Sequence, residues 1–153
     1  MISVHVSDVA AAGIMFGNPI SCTVNPSVES DEIKEADEKK KVLVIGAGPA
    51  GMEAAYVAKK RGHEVVLCEK SGEFGGLLRL AAVPIAKQEL CKVIKFMARR
   101  LKNEGIEVRM NCEVTPEMLA GEFKDYEVVC STGAVPKEIP PFKVFKQTMT
   151  ADD

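Results

Sequence analysis

The clearest hydrophobic pattern begins at Lys41, where Val42, Leu43, Val44 and Ile45 form an unbroken apolar run rich in β-branched residues. A run without polar alternation predicts a strand covered on both faces of a sheet. Gly46 to Gly51 form a turn, and the alanine-rich stretch that follows reads as a helix to about Arg61. Gly62 stands where a left-handed helix cap belongs. A second apolar run, Glu64 to Cys68 (EVVLC), predicts a second buried strand. A strand, a helix and a strand with so short a return imply parallel strands joined by a right-handed crossover.

The same alternation continues. A loop from Glu69 to Pro84 leads to a helix from about Ala86 to Asn103, with Leu90, Ile94, Met97 and Leu101 repeating on one face. Gly105 caps it, and Ile106 to Met110 read as a third strand. Thr115-Pro116-Glu117 has the form of an N-cap followed by proline at the first helical position. Glu127 to Cys130 make a fourth strand, ending in Ser131-Thr132-Gly133. The expected fold is α/β, a doubly wound parallel sheet of the Rossmann-like type with an irregular N-terminal arm. Residues 1–28 are mildly apolar and broken by Gly13, Gly17, Pro19 and Pro26. Residues 29–41 are dense in charge and lack an apolar face, as a solvated linker or a short exposed helix would. The expected division is an arm and linker over 1–40 and a dinucleotide-binding domain over 41–153.

Composition narrows the function classes. A chain of 153 residues is one domain, or one with an arm, and 46% apolar with 27% charged residues is ordinary for a globular protein. A formal charge of −2 gives no electrostatic reason to expect nucleic acid or anionic lipid as a partner. Few aromatics and no Trp leave no stacking platform for single strands. No apolar run approaches the ~20 residues that span a bilayer, and Asp8 interrupts an N-terminus without a basic start. The five cysteines (Cys22, Cys68, Cys91, Cys112, Cys130) never form Cys-x-x-Cys, a pattern that fits reduced thiols in a cytoplasmic protein. Cys22, Cys91, Cys112 and Cys130 are expected to be small buried apolar residues. His5 and His63 lack ligand-spaced companions, and no catalytic constellation of Ser/His/Asp or Cys/His type assembles.

The turn carries the candidate chemistry. Gly46-Ala47-Gly48-Pro49-Ala50-Gly51 satisfies Gly-x-Gly-x-x-Gly. Gly46 permits the tight turn, Gly48 lets a pyrophosphate approach the backbone, and Gly51 lets the helix pack on the strand. Amides and the positive dipole end at the helix start form the anion site. The motif alone is weak, since a chance glycine-rich turn would look the same. Here it follows a strand, opens a helix, and has Glu69 at the end of the next strand, placed to accept hydrogen bonds from ribose hydroxyls. A carboxylate there would repel a ribose 2′-phosphate, which argues against NADP at this site.

Which dinucleotide is decided by a resemblance. Glu69-Lys70 leads into Gly75-Gly76, similar to the second glycine pair of flavoprotein domains of the glutathione-reductase type. Ser131-Thr132-Gly133-Ala134, with Pro136 beyond, resembles the Ala-Thr-Gly segment that closes over the cofactor there. Ile20 to Pro26 (ISCTVNP) resembles the segment before the FAD domain in NADH:flavin oxidoreductases related to 2,4-dienoyl-CoA reductase and trimethylamine dehydrogenase. The likeness covers about residues 17–153. It implies FAD as cofactor, held by Gly46, Gly48, Pro49, Ala50, Gly51, Glu69, Lys70, Gly75, Gly76, Thr132 and Gly133. In that family an FMN-bearing (β/α)8 barrel and a four-cysteine iron–sulfur cluster come first, and the FAD domain is interrupted by a nucleotide-binding insert. Cys22 resembles the last cluster ligand, but residues 1–21 hold no cysteine. Val28-Glu29 stands where the family has Val-Gly, and Leu77 where Gln often follows the glycine pair. The resemblance therefore implies the first part of an FAD domain, a fragment whose barrel and insert lie elsewhere, on another chain or in a full-length parent. Two other readings stay open: an NAD(H)-binding domain of a related oxidoreductase or amidotransferase subunit, and a non-catalytic ADP-binding half-domain.

Overall fold

A computed structural model describes residues 32–135. Four strands, β1 (Lys41–Ile45), β2 (Glu64–Cys68), β3 (Glu107–Arg109) and β4 (Glu127–Cys130), form one sheet in the order β3-β2-β1-β4. All three pairings are parallel, with Ile45 in register with Cys68 on one side and Cys130 on the other. This is the α/β wound architecture expected from the apolar runs.

Side chains alternate across a strand, so β1 and β2 each feed two cores. Val42, Val44, Val65 and Leu67 face helices α1 (Pro49–Lys60) and α3 (Leu90–Asn103), packing with Met52, Ala55, Val93, Met97 and Leu101. Leu43, Val66 and Cys68 face the other way, onto Phe123 and the flank of the short helix α4 (Pro116–Ala120). Helical cover on both faces explains why neither strand shows polar alternation. Thr115 caps α4, its hydroxyl accepting from the Met118 amide, as the Thr-Pro-Glu sequence predicts.

The helix-to-strand returns are tight. After α1, Gly62 adopts φ 91° and its amide donates to the Lys59 carbonyl at 2.9 Å, while the His63 amide returns to Ala58 at 3.1 Å. A left-handed residue of this kind is cheap only for glycine. The charged stretch before β1 contains neither helix nor strand over 32–40, yet it is tied down: Ala36 donates to the Arg61 carbonyl, and the Lys40 amide to His63 Nδ1 at 3.1 Å.

Four expectations need correction. The stretch expected to be loop between Glu69 and Pro84 includes a single helical turn, α2 (Leu78–Ala81). The long helix begins at Leu90 rather than Ala86, because Ile85–Lys87 wind as a 3-10 turn with Lys87 donating to the Pro84 carbonyl at 2.8 Å. That segment is exposed, so no packing selects α over 3-10 geometry. β3 is shorter than Ile106–Met110, since the Ile106 amide folds back onto Leu101 and Asn111 turns at φ 53°. Cys91 and Cys130 are exposed and Cys112 only half-buried, against the expectation of buried thiols. Cys91 lies in the first turn of a surface helix, and Cys130 on a strand that nothing covers among the described residues. Cys22 lies outside the described residues. Among those described, no helix is long and apolar enough to cross a membrane.

Candidate functional site

The sheet order places β1 between strands reached by opposite crossovers. In open α/β sheets a crevice forms at the carboxyl ends of strands at such a switch point. Here β1, β2 and β4 all end beside one another, and the glycine-rich turn runs across their ends.

Gly46 leaves β1 at φ 103°, and a Cβ added there would press on the main chain of Ser131. The Gly46 amide donates to the Cys68 carbonyl at 2.8 Å, tying the turn to β2. Ser131 ties it to β4: its amide donates to Ile45 O at 2.9 Å, and its hydroxyl to the same oxygen at 2.8 Å. A Cβ at Gly51 would run into the Gly46 carbonyl, so the approach of α1 to the turn needs the missing side chain.

Gly48 is different. A Cβ built on it meets nothing within 4 Å among the described residues, which leave the space over it open. Gly48 is also the N-cap of α1, with no side-chain cap and no acidic residue in the first turn. The Met52 amide makes the first helical bond, to the Gly48 carbonyl at 2.9 Å. Helix geometry leaves the amides of Ala50 and Gly51 without intrahelical acceptors, and Pro49 at the first position has none to leave. An open concavity at an uncapped helix start suits an anionic group.

Glu69 borders this turn and is the one buried charged residue among those described, 8% exposed. Its Oε2 accepts from the Ala47 amide at 2.6 Å, and its Oε1 accepts from the amide and hydroxyl of Ser71 at 2.8 and 2.9 Å. Burial by itself would raise the pKa of this carboxyl. The hydrogen bonds from Ala47 and Ser71, with Lys70 nearby, outweigh it and hold the group below its ordinary value. Glu69 is therefore a fixed negative charge at neutral pH.

The remaining candidates from the sequence divide into neighbours and bystanders. Gly75 donates its amide to the Ala47 carbonyl at 2.9 Å, and a Cβ on Gly76 would lie 3.3 Å from Gly48 Cα, so this pair forms the far wall of the same turn. Thr132 follows Ser131 directly beside Gly46, and Gly133 continues outward in open space at φ 74°. Lys70 is exposed, and its charge acts on Glu69. Sequence reasoning passed over Ser71, and it placed Ser131 in the closing segment without its bonds to the turn. Ser71 was legible as a hydroxyl two residues beyond a carboxylate, a spacing at which side chains bond locally. Ser131 reaches residues 85 and 86 positions away, and spacing could not reveal it. Among the described residues no three His, Cys, Asp or Glu side chains gather to hold a metal.

Residues 17–138 match the family described as pyridine nucleotide-disulphide oxidoreductase. An NADH oxidase of Thermoanaerobacter brockii is 40% identical over 129 residues, covering 81% of this chain and 20% of the oxidase. A cinnamate reductase of Clostridium sporogenes is 39% identical over 123 residues, 78% of this chain and 18% of the reductase. The fold superposes on a 2-naphthoyl-CoA reductase solved with 2-naphthoyl-CoA, with a TM-score of 0.74 at 32% identity, covering 83% of this chain and 20% of that one. The chain thus spans about a fifth of the length of these relatives.

Proposed function

The chain belongs to the pyridine nucleotide-disulphide oxidoreductase family, and from that premise we propose that residues 41–153 are the FAD-binding portion of a flavin-dependent NAD(P)H oxidoreductase. The narrower likeness, to 2,4-dienoyl-CoA reductase, belongs to the same reading and rests on the Ile20–Pro26 segment, which lies outside the described residues. The observation that carries it is the open space over Gly48, walled by Gly76 and bordered by a buried carboxylate.

The residues present fit the adenosine and pyrophosphate half of FAD. The Ala50 and Gly51 amides and the start of α1 would receive the pyrophosphate, with Gly46, Gly48, Pro49 and Gly76 shaping the backbone that it approaches. Glu69 keeps lone-pair capacity for a ribose hydroxyl, because a carboxylate offers about four sites and three are used internally. Its fixed charge disfavours a 2′-phosphate. Thr132 and Gly133 would close the site from the β4 side. A bound flavin supplies the hydride- and electron-accepting ring, and this chain supplies the binding and orientation of its adenine end.

The test is reconstitution. The purified chain is incubated with FAD or FMN and passed through a desalting column. The reading expects retained flavin absorbance with FAD that ADP displaces, and none with FMN. Equal retention of both flavins would overturn it, because FMN lacks the half this site is proposed to read.

A further inference from the structure

Two cysteines pack in one cluster on the face of the sheet opposite α1. Cys68 ends β2, fully buried against Leu43, Val66 and Phe123, and Cys112 packs onto the same cluster. The chain reaches that position by a sharp turn. The Glu69 amide donates to Arg109 O at 2.9 Å, Asn111 turns at φ 53° and donates to Ser71 O at 3.0 Å, and the Cys112 amide donates to Glu69 O at 2.9 Å. The last bond sets the Cys112 backbone beside the residue that follows Cys68. Burial first, and then the adjoining Cys112 thiol, push the Cys68 pKa up to about 12. Dinucleotide binding as described above uses neither thiol.

No other described cysteine can take either place. Cys68 and Cys130 flank Ile45 in register on opposite sides, so their Cα atoms are two strand spacings apart, ~10 Å. That exceeds the ~7 Å beyond which a disulfide cannot be bridged without backbone movement. Cys91 belongs to α3, on the other face of the sheet. Cys112 is half-buried and open to small reagents, whereas Cys68 is sealed.

We propose that Cys68 and Cys112 form a two-thiol redox site, which low-molecular-weight disulfides oxidise to an intramolecular disulfide. Cys112, as thiolate, attacks one sulfur of the small disulfide. A mixed disulfide forms on Cys112, and one small thiolate leaves and takes up the proton that Cys112 released. Cys68 then bonds to the Cys112 sulfur, and the second small thiolate leaves and takes up the proton that Cys68 gives up. Two protein thiols lose two electrons and two protons; one small disulfide gains them and becomes two thiols. Cys112 initiates because its thiol is the reachable one, and Cys68, held protonated, acts only once its partner is activated.

The test uses the full chain without denaturant. It is exposed to oxidised glutathione, its remaining thiols are alkylated, and it is digested without reductant for mass spectrometry. The expected product is the Cys68 peptide joined to the Cys112 peptide, with Cys91 and Cys130 alkylated or carrying glutathione singly. In Cys68→Ala, glutathione should stay trapped on Cys112. In Cys112→Ser, Cys68 should remain unmodified until the protein is unfolded. Stable glutathione on Cys112 in the wild type with Cys68 still a thiol would overturn the proposal. So would Cys68 joining to Cys91 or Cys130 as often as to Cys112. No dinucleotide enters the assay, so its outcome is independent of the FAD reading.

Discussion

Three of about four acceptor sites on the Glu69 carboxylate are filled by Ala47 and Ser71, so this side chain braces the glycine turn before any ligand arrives. An amide in its place would present a donor to another donor, at Ala47 N or Ser71 N. Glu69→Gln should therefore destabilise the fold near neutral pH by about 1–3 kcal/mol, the cost of a buried group left unsatisfied. The pH dependence follows from the direction of the shift. The folded-state pKa lies below the ordinary 4.5, so the contribution is complete above that value and is lost as pH falls through the lower, folded one. Urea unfolding of wild type and Glu69→Gln near pH 7 and at about pH 3 should show the gap closing in acid. A gap that stays constant would mean that the ionised carboxylate is not what braces the turn. The two glycines of the turn should also behave differently. Gly51→Ala forces a Cβ into the Gly46 carbonyl and should cost about 1–3 kcal/mol or more, whereas Gly48→Ala should unfold like the wild type. Thermal melts of the two variants decide this. At this scale the sequence shows the roles that depend on local spacing, such as the three motif glycines and Glu69. It conceals Ser131, whose partners come from a distant strand.

Between elements, the best-defined contact is that of α1 with α3. Arg100 grips Glu53 through two hydrogen bonds of 2.7 and 3.1 Å, and its guanidinium lies 3.5 Å from the centre of the Tyr56 ring. Both charged side chains are mostly covered, 14% and 21% exposed, so solvent screens them less than a surface pair. Arg100→Ala should lower stability by about 2 kcal/mol, from the charged hydrogen bonds and the lost ring contact together. Denaturant midpoints check this, and a loss below a few tenths of a kcal/mol would reduce the pair to surface decoration. The elements that could be read from the sequence are those whose burial dictates them: β1 and β2 fall within a residue of the expected limits, and α1 ends where expected but starts three residues earlier, at Pro49 inside the glycine-rich turn. Those misread, α2 and the 3-10 turn at Ile85–Lys87, are short and largely exposed, so no hydrophobic period marks them. β3 was read too long because Ile106 looks like a strand residue but serves the cap of the preceding helix.

For the whole molecule, β4 matters most. Its residues are exposed, with Val128 at 46% and Val129 at 37%, although each lies in register with a fully buried residue of β1. The described residues thus build a sheet that is covered at β1 and β2 and bare at β4. The matched residues make up only about a fifth of each relative. The 153-residue chain with NADH and an enoyl acceptor should give no rate above that of free flavin. A rate well above it would place a complete active site in this chain. Ligand binding, by contrast, should be detectable as stabilisation, about 2.7 kcal/mol at a hundredfold excess over Kd.

The most direct test of the central claim is a calorimetric titration of FAD, ADP and FMN into wild type and Gly48→Val, alongside a thermal melt of each. The open space over Gly48 is the predicted seat of the pyrophosphate, and none of the described residues comes within 4 Å of a Cβ built there. The branched valine side chain would grow into that space from a Cβ that meets no described residue within 4 Å. Wild type should bind FAD and ADP and ignore FMN, and Gly48→Val should lose at least tenfold in affinity, ~1.4 kcal/mol, while melting within a few degrees of wild type. A folded Gly48→Val that binds FAD as tightly as wild type would contradict the central claim, as would a wild type that binds FMN and FAD alike.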